Sequence, residues 1–356
     1  MPSPTSLRRS LPLLETLSIG AIGGTLFTVM GFPAGLISGS VLAVAIASLA
    51  GRPMTVPLGL TRIVMVIVGI ALGSVVTPAT LKGLTDYPLS VGLLSLSTAC
   101  IILGATTYLR LVHGWDRVSA LFGASPGALA QIVALSAECG ADLRGVVVVQ
   151  TMRILFLTLG IPSGMALFGL ASTATKGLPA GILASPLTML IMVATASLTA
   201  ILLARVKFPG AWIFGSMIGS GFLHGTGLVE GGLPWWFTSA ALIAMGSVTG
   251  SRFAGTPMRL LLSFLLAALG SFAVAMTIAT FFILLTARLV EVPVGDIVMA
   301  YSPGAQDTMM VLALALHLDP VFVGAHQLAR YLIVSLGNPF LARILMKRDA
   351  KSAAAD

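Results

Sequence analysis

Charge is what this sequence has least of. Only 9% of its 356 residues are Asp, Glu, Lys or Arg, against about 25% in a soluble chain. At the same time 57% are hydrophobic and the mean hydropathy is +1.02. So few charged groups cannot clothe that much apolar surface, which excludes a water-soluble globular fold. Cysteine is nearly absent too: Cys100 and Cys139 have no spacing that suggests a disulfide or metal framework, and a structural role is read for both. The four histidines, His113, His224, His317 and His326, are scattered, with no HExxH or Cys/His ligand spacing. His317 and His326 share a neighbourhood, yet two histidines make a weak metal site. A P-loop is missing, which argues against ATP-driven transport by this chain alone. Gly39-Ser40 and Gly215-Ser216 lack the flanking pattern of a nucleophile elbow. No catalytic residue, metal or cofactor is assigned, and the chain is not read as an enzyme. Nor does the net charge of +8 point to nucleic acid, because basic residues stand singly between apolar runs.

What the sequence does contain is a copy of itself. Ser125-Pro126-Gly127-Ala128 recurs as Ser302-Pro303-Gly304-Ala305, and at the same offset of 177 Asp142 meets Asp319, Gln150 meets Gln327 and Arg153 meets Arg330. Gly160 and Pro162 fall on Gly337 and Pro339. Upstream, Phe32-Pro33 and Gly39-Ser40 match Phe208-Pro209 and Gly215-Ser216, and Gly73-Ser74-Val75 matches Gly246-Ser247-Val248. A tandem duplication explains the series, with one repeat over residues 1–175 and the other over 176–356. Both are apolar throughout and no long polar linker separates them.

Apolar stretches run at roughly 11–30, 34–50, 57–78, 88–109, 118–137 and 145–170, and again at 182–203, 210–228, 235–251, 258–287, 295–317 and 321–342. Arg8 and Arg9 before the first stretch resemble a signal peptide, but no convincing cleavage site follows, so an uncleaved first helix is expected. Stretches 34–50 and 210–228 are short for a hydrocarbon core about 30 Å thick. If all twelve stretches cross, Arg205, Lys207, Arg252 and Arg259 fall on the outer face. If each Ser-Pro-Gly stretch re-enters on one side, most Lys and Arg lie inside and Lys82, Lys176 and Arg288 outside. The positive-inside rule therefore favours an all-α polytopic protein with two inverted repeats of about five crossings each. Trp235-Trp236 reads as part of an aromatic belt, and Glu15 and Glu138 as span-end residues.

Chemistry concentrates at the two Ser-Pro-Gly tracts, where proline removes a donor and glycine admits backbone forms closed to other residues. Backbone groups freed by a break must be satisfied by protein or by a water-filled cavity. Half-helices opening near Gly127 and Gly304 would turn N-terminal amides toward an anion or carboxylate, whereas the bland alternative is a packing kink. Candidate substrate-binding residues are Ser125, Pro126, Gly127, Ser302, Pro303, Gly304 and Gln306, with Gln150, Arg153, Gln327 and Arg330. Each Gln–Arg pair is three residues apart and shares a helical face. The arginines either hold an anionic substrate or satisfy the carbonyls of the neighbouring break. Asp307, where the first repeat has Ala130, is the least expected carboxylate and reads as an ion- or proton-coupling residue. The alternative for it is a wet vestibule, or a structural pair with Arg330 or Arg153. Asp142 and Asp319 precede the Arg-bearing helices as N-caps, the second followed by Pro320.

The ordered Phe-Pro…Gly-Ser, Ser-Pro-Gly-Ala and Arg-bearing segments, present twice, resemble the membrane AbrB duplication family over nearly the whole chain. The resemblance implies a relative of bile-acid-symporter-type carriers: a multi-pass secondary transporter of the bacterial inner (plasma) membrane with inverted halves and crossed broken helices. Members are named as regulators, after an effect on gene expression, or as ammonia monooxygenases. This sequence carries neither a DNA-binding motif nor the metal-ligand cluster of an oxygenase. The expected partners are a small-molecule substrate and the lipid bilayer, without direct nucleic-acid contact. Homo-oligomerisation is left open.

Overall fold

The structure, a computed structural model, describes residues 4–76, 87–127, 129–170 and 183–353. Lys82, Ala128 and Lys176 lie outside the described residues. The described residues form fifteen helices and no sheet. Two compact units gather them, and neither unit is a repeat.

The first unit comprises Met1–Thr85, Thr158–Thr256 and Asp307–Gly324. It holds α1 (Pro4–Val29), α2 (Gly35–Leu49) and α3 (Leu58–Gly73) from the first repeat, and α8 (Pro186–Arg205), α9 (Ala211–Gly225) and α10 (Trp235–Ser251) from the second. Within it α2 packs on α1 and α10, and α9 on α3 and α8. The second unit comprises Asp86–Leu157, Pro257–Gln306 and Ala325–Asp356. It holds α4 (Tyr87–His113), α5 (Arg117–Ala124), α6 (Leu129–Glu138) and most of α7 (Leu143–Leu167). From the other repeat come α11 (Met258–Ser263), α12 (Leu265–Leu289), α13 (Val294–Tyr301) and most of α15 (Pro320–Ala353). The intervening α14 (Gln306–Ala315) belongs to the first unit from Asp307 onward.

The duplicated motifs explain recurring local geometry. Phe-Pro marks the same turn twice: α1 and α8 end on left-handed Gly31 (φ 76°) and Lys207 (φ 56°), and the amides of Phe32 and Phe208 reach back to Phe27 and Leu203 carbonyls at 2.9 and 3.0 Å. This is the Schellman closure that satisfies a helix C-terminus. Proline then stops the helix, and left-handed Ala34 and Gly210 begin α2 and α9. Gly39 and Gly215 sit where helices touch. A Cβ on Gly39 would lie 2.2 Å from the Gly23 carbonyl oxygen, and one on Gly215 2.5 Å from Ala200 Cα.

Among the described residues six helical stretches are long and apolar enough to cross a membrane: Leu11–Val29, Tyr87–His113, Leu143–Leu167, Pro186–Arg205, Leu265–Leu289 and Pro320–Met346. The side chains are arranged for lipid. Leu103, Leu198, Phe281 and Leu336 are exposed while Ser40, Ser97, Thr286, Arg153 and Arg330 are buried, the reverse of a soluble protein. Trp235 and Trp236 are exposed, as belt residues are. The apolar stretch 258–287 is not one rod: Phe264 separates α11 from α12.

Candidate functional site

Both Ser-Pro-Gly tracts interrupt helices. In the first, α5 stops at Ala124, Ser125 is extended (φ −67°, ψ 122°) and α6 starts at Leu129; in the second, α13 stops at Tyr301, Ser302 is extended (φ −61°, ψ 127°) and α14 starts at Gln306. The half-helices thus open two residues beyond Gly127 and Gly304, with Pro126 and Pro303 inside the breaks. Helices of eight to ten residues reach about 12–15 Å, no more than about half of a bilayer core.

A helix that stops leaves its last four carbonyls without partners. Gln150 and Arg153 of α7 supply donors for those of α5. Gln150 Nε2 donates to Phe122 O at 2.7 Å and Ser125 O at 2.8 Å. Arg153 donates to Gly123 O at 3.3 Å, Ala124 O at 2.9 Å and Ser125 O at 3.0 Å. In the second repeat Gln327 donates to Met299 O at 3.2 Å, and Arg330 to Ala300 O at 3.5 Å and Ser302 O at 2.5 Å. Three of these bonds recur at the offset of 177: from glutamine to the third carbonyl before the serine, from arginine to the second before it, and from arginine to the serine itself. Each arginine also donates to its own glutamine's Oε1, which orients both side chains. Guanidinium charge at a helix C-terminus suits the helix dipole. The geometry therefore supports the carbonyl-satisfying alternative for both arginines.

The two breaks share a helix. Arg330 of α15 serves the second; eight residues on, about 12 Å along the axis, Asn338 Oδ1 accepts from Ser125 Oγ at 3.0 Å in the first. Between them, Val334 packs against Gly127 and Ser335 donates to Gln131 of α6 at 2.8 Å. Ser302 Oγ, by contrast, bonds only its own helix among the described residues, at Val298 O, 2.6 Å. Two side-chain amides near the breaks have donors without partners among the described residues: Gln306 Nε2 and Asn338 Nδ2, both buried. Buried amides rarely stay unpaired, so both can bond a ligand. A polar cluster lies nearby in the same unit: Tyr301 donates to Ser90 O at 2.6 Å, accepts from Thr286 at 2.9 Å, and His326 bonds Ser90 Oγ at 2.8 Å.

Asp307 does not take either of the partners read from the sequence. It pairs with Arg252 at the C-terminus of α10, Nη2 to Oδ2, 2.7 Å. The reason is that Arg153 and Arg330 direct their donors at carbonyls. Asp319 caps α15, accepting from Val321 N at 2.8 Å and Phe322 N at 3.3 Å, and Asp142 accepts from Arg144 N at 3.0 Å at the start of α7. Glu15 pairs with Arg52 at 2.8 Å. Cys100 and Cys139 are free. No group of three or more His, Cys, Asp or Glu side chains converges on a metal-sized site among the described residues. In the first unit His224 and His317 both line a cavity of about 420 Å³, with Ser74, Trp235 and Thr238.

Sequence reasoning passed over Asn338, Arg252 and Tyr301. Asn338 lies between the matched Gly337 and Pro339, so the duplication pointed at its neighbours, while its own counterpart is Ile161.

The chain resembles known proteins along nearly its whole length. A protein of Bacillus subtilis (strain 168) named "Uncharacterized protein YhjN" is 26% identical, with 95% of each chain covered. One of Escherichia coli (strain K12) named "Putative regulator AbrB" is also 26% identical, covering 95% of this chain and 96% of the relative. The family model described as "Transition state regulatory protein AbrB" matches residues 36–346, spanning both Ser-Pro-Gly breaks and both Gln–Arg pairs. The chain belongs to the AbrB family.

Proposed function

We propose that this protein is a secondary carrier of the bacterial inner membrane, moving a small anionic or zwitterionic metabolite by alternating access between two inverted repeats of about five crossings each. One observation carries the reading: two helices are interrupted at repeat-equivalent places, and their freed carbonyls are satisfied by internal Gln–Arg pairs. Irregular backbone at membrane depth is tolerated only where protein or a cavity satisfies it, and paired breaks of this kind build transporter sites. On this reading Ser125, Pro126, Gly127, Ser302, Pro303 and Gly304 shape the substrate site. Gln306 and Asn338 contribute their unmet amide donors, and half-helix N-termini favour an anionic group. Gln150, Arg153, Gln327 and Arg330 hold the broken backbone in place. Asp307 couples transport to a cation or proton. No cofactor and no covalent chemistry enter this cycle.

A thermal-shift screen of metabolites on the purified protein identifies ligands, because a bound ligand raises apparent stability as RT ln(1 + [L]/Kd). Each hit is then followed into proteoliposomes. The carrier reading expects accumulation under an imposed proton, sodium or electrical gradient. Hits that bind yet never cross under any of these gradients would overturn it. They would support the second reading, a membrane-embedded sensor acting on gene expression indirectly, which the printed name of the Escherichia coli relative favours.

A further inference from the structure

Arg252 and Asp307 form an ion pair that the rest of the chain does not explain. Their side chains are 23% and 21% exposed, so the pair is neither sealed in the core nor a loose surface contact. The contact is single: Nη2 touches Oδ2, and among the described residues the guanidinium has no other hydrogen-bond partner. A guanidinium has five N–H donors in a fork that matches a carboxylate with two parallel bonds. Most of that fork is open. Beside Asp307, the Thr308 hydroxyl is fully buried and has no partner among the described residues.

Both partners belong to the second repeat alone. Asp307 corresponds to Ala130 at the offset of 177, and Arg252 corresponds to Ala79 when Gly246-Ser247-Val248 is set on Gly73-Ser74-Val75. The repeated framework of breaks and Gln–Arg supports exists without the pair, so the pair is an addition to the scaffold. Four other described cations are committed: Arg153 and Arg330 to carbonyls, Arg52 to Glu15, and Arg62 to the face of Trp212 at 5.2 Å.

We propose that Arg252 is the cation that receives the carboxylate of the ligand, and that Asp307 is an internal carboxylate which occupies it until a proton neutralises Asp307. The inference deepens the carrier reading by naming the ligand class, a carboxylate, and its coupling ion, a proton. The exchange conserves charge. Before it, guanidinium and Asp307 carboxylate sum to zero; after it, guanidinium, ligand carboxylate and protonated Asp307 sum to zero again. One proton from solution enters on Asp307 for each carboxylate bound, so lower pH favours binding. Several other titratable groups of this unit are engaged elsewhere. On the helices packed against α10, Glu15 of α1 pairs with Arg52, Arg62 of α3 stacks on Trp212, and α2 carries none. Toward α14, His224 of α9 sits between the carbonyls of Ser220 and Gly231, His317 lines the cavity, and Asp319 caps α15.

The test uses formate, the smallest carboxylate, which any carboxylate site admits. Melting of the purified full-length protein is followed in sodium formate against sodium chloride of equal strength. In wild type the apparent formate affinity should be roughly tenfold or more weaker at about pH 7.5 than at about pH 5.5, the linkage expected for one proton per ligand. Asp307→Asn should bind formate equally at both pH values, and at least as tightly as wild type at the lower one. The double variant Arg252→Gln/Asp307→Asn, neutral at both positions, should melt cooperatively and ignore formate. It also serves if either single variant fails to fold. No formate response in wild type, a response independent of pH, or one that persists in the double variant would overturn the proposal. So would a response that follows replacement of sodium by N-methylglucamine instead of pH. Formate binding as expected in a protein that moves no ligand would sink the carrier reading and leave Arg252 in its role. Gradient-driven uptake unchanged in the double variant would do the opposite.

Discussion

Arg153 and Arg330 show how one residue type in one pattern can carry two meanings. A buried arginine three residues from a glutamine reads equally as an anion clamp or as a cap for broken backbone. The hydrogen bonds favour the second, because each guanidinium faces carbonyls of its own repeat. Arg153→Gln and Arg330→Gln should therefore both destabilise the protein, each by about 3 kcal/mol or more, since each carbonyl left unpaired costs about 1–3 kcal/mol. Thermal melting in detergent checks this; a variant with a wild-type melt and lost ligand affinity would restore the anion-clamp reading. The two serines should part company. Ser125→Ala removes the side-chain partner of buried Asn338 Oδ1 and should cost about 1–3 kcal/mol. Ser302→Ala loses only a bond within its own helix and should cost less. Equal losses in the two melts would contradict the asymmetry. Much of this was legible in the sequence, because the duplication marked serine, proline, glycine, glutamine and arginine twice. Asn338 and the partner of Asp307 were not legible: each is fixed by packing between distant segments, Arg252 lying 55 residues from Asp307.

Helices were easier to read than their contacts. The Ser-Pro-Gly breaks and the Phe-Pro turns fall where backbone chemistry puts them, because proline and glycine act locally. The division between α11 and α12 at Phe264 escaped, since neither proline nor glycine marks it and the apolar run continues through. Gly39-Ser40 and Gly215-Ser216 were visible as a repeated motif, yet their use emerges only from packing. Gly39 lets α1 and α2 approach backbone to backbone, Gly215 does the same for α8 and α9, and Ser40 Oγ donates to Gly20 O across the first contact at 2.7 Å. Alanine at either glycine must push backbone apart, because the obstructing atoms are main-chain atoms that cannot swing aside. Overpacking of this kind costs about 1–3 kcal/mol. Gly39→Ala and Gly215→Ala should each lower the melting temperature, whereas Gly59→Ala, with nothing within 4 Å of the added methyl, should leave it unchanged. A harmless Gly39→Ala would show that the α1–α2 approach is looser than described.

Motifs recur along the sequence at an offset of 177, but the compact units do not divide the chain into its first and second halves, each drawing on segments from both. In the first unit α2 buries its face on α10 and α3 on α9; in the second α4 packs on α12. Each of these contacts joins one repeat to the other. A repeat on its own would leave those faces bare, including buried polar groups such as Ser48, whose hydroxyl donates to Gly250 O, and Ser220, which donates to Ile70 O. Polar groups in lipid without partners are costly, so neither repeat should be stable alone. Expressed as separate chains of residues 1–175 and 176–356, the two halves should each aggregate or be degraded. Produced together with a tag on one, they should copurify and melt cooperatively. The periodicity of the sequence cannot supply this result, because an offset of 177 reveals kinship between segments and is silent on which of them touch. A single half that purifies as a monodisperse, cooperatively melting protein would refute the interleaved assembly.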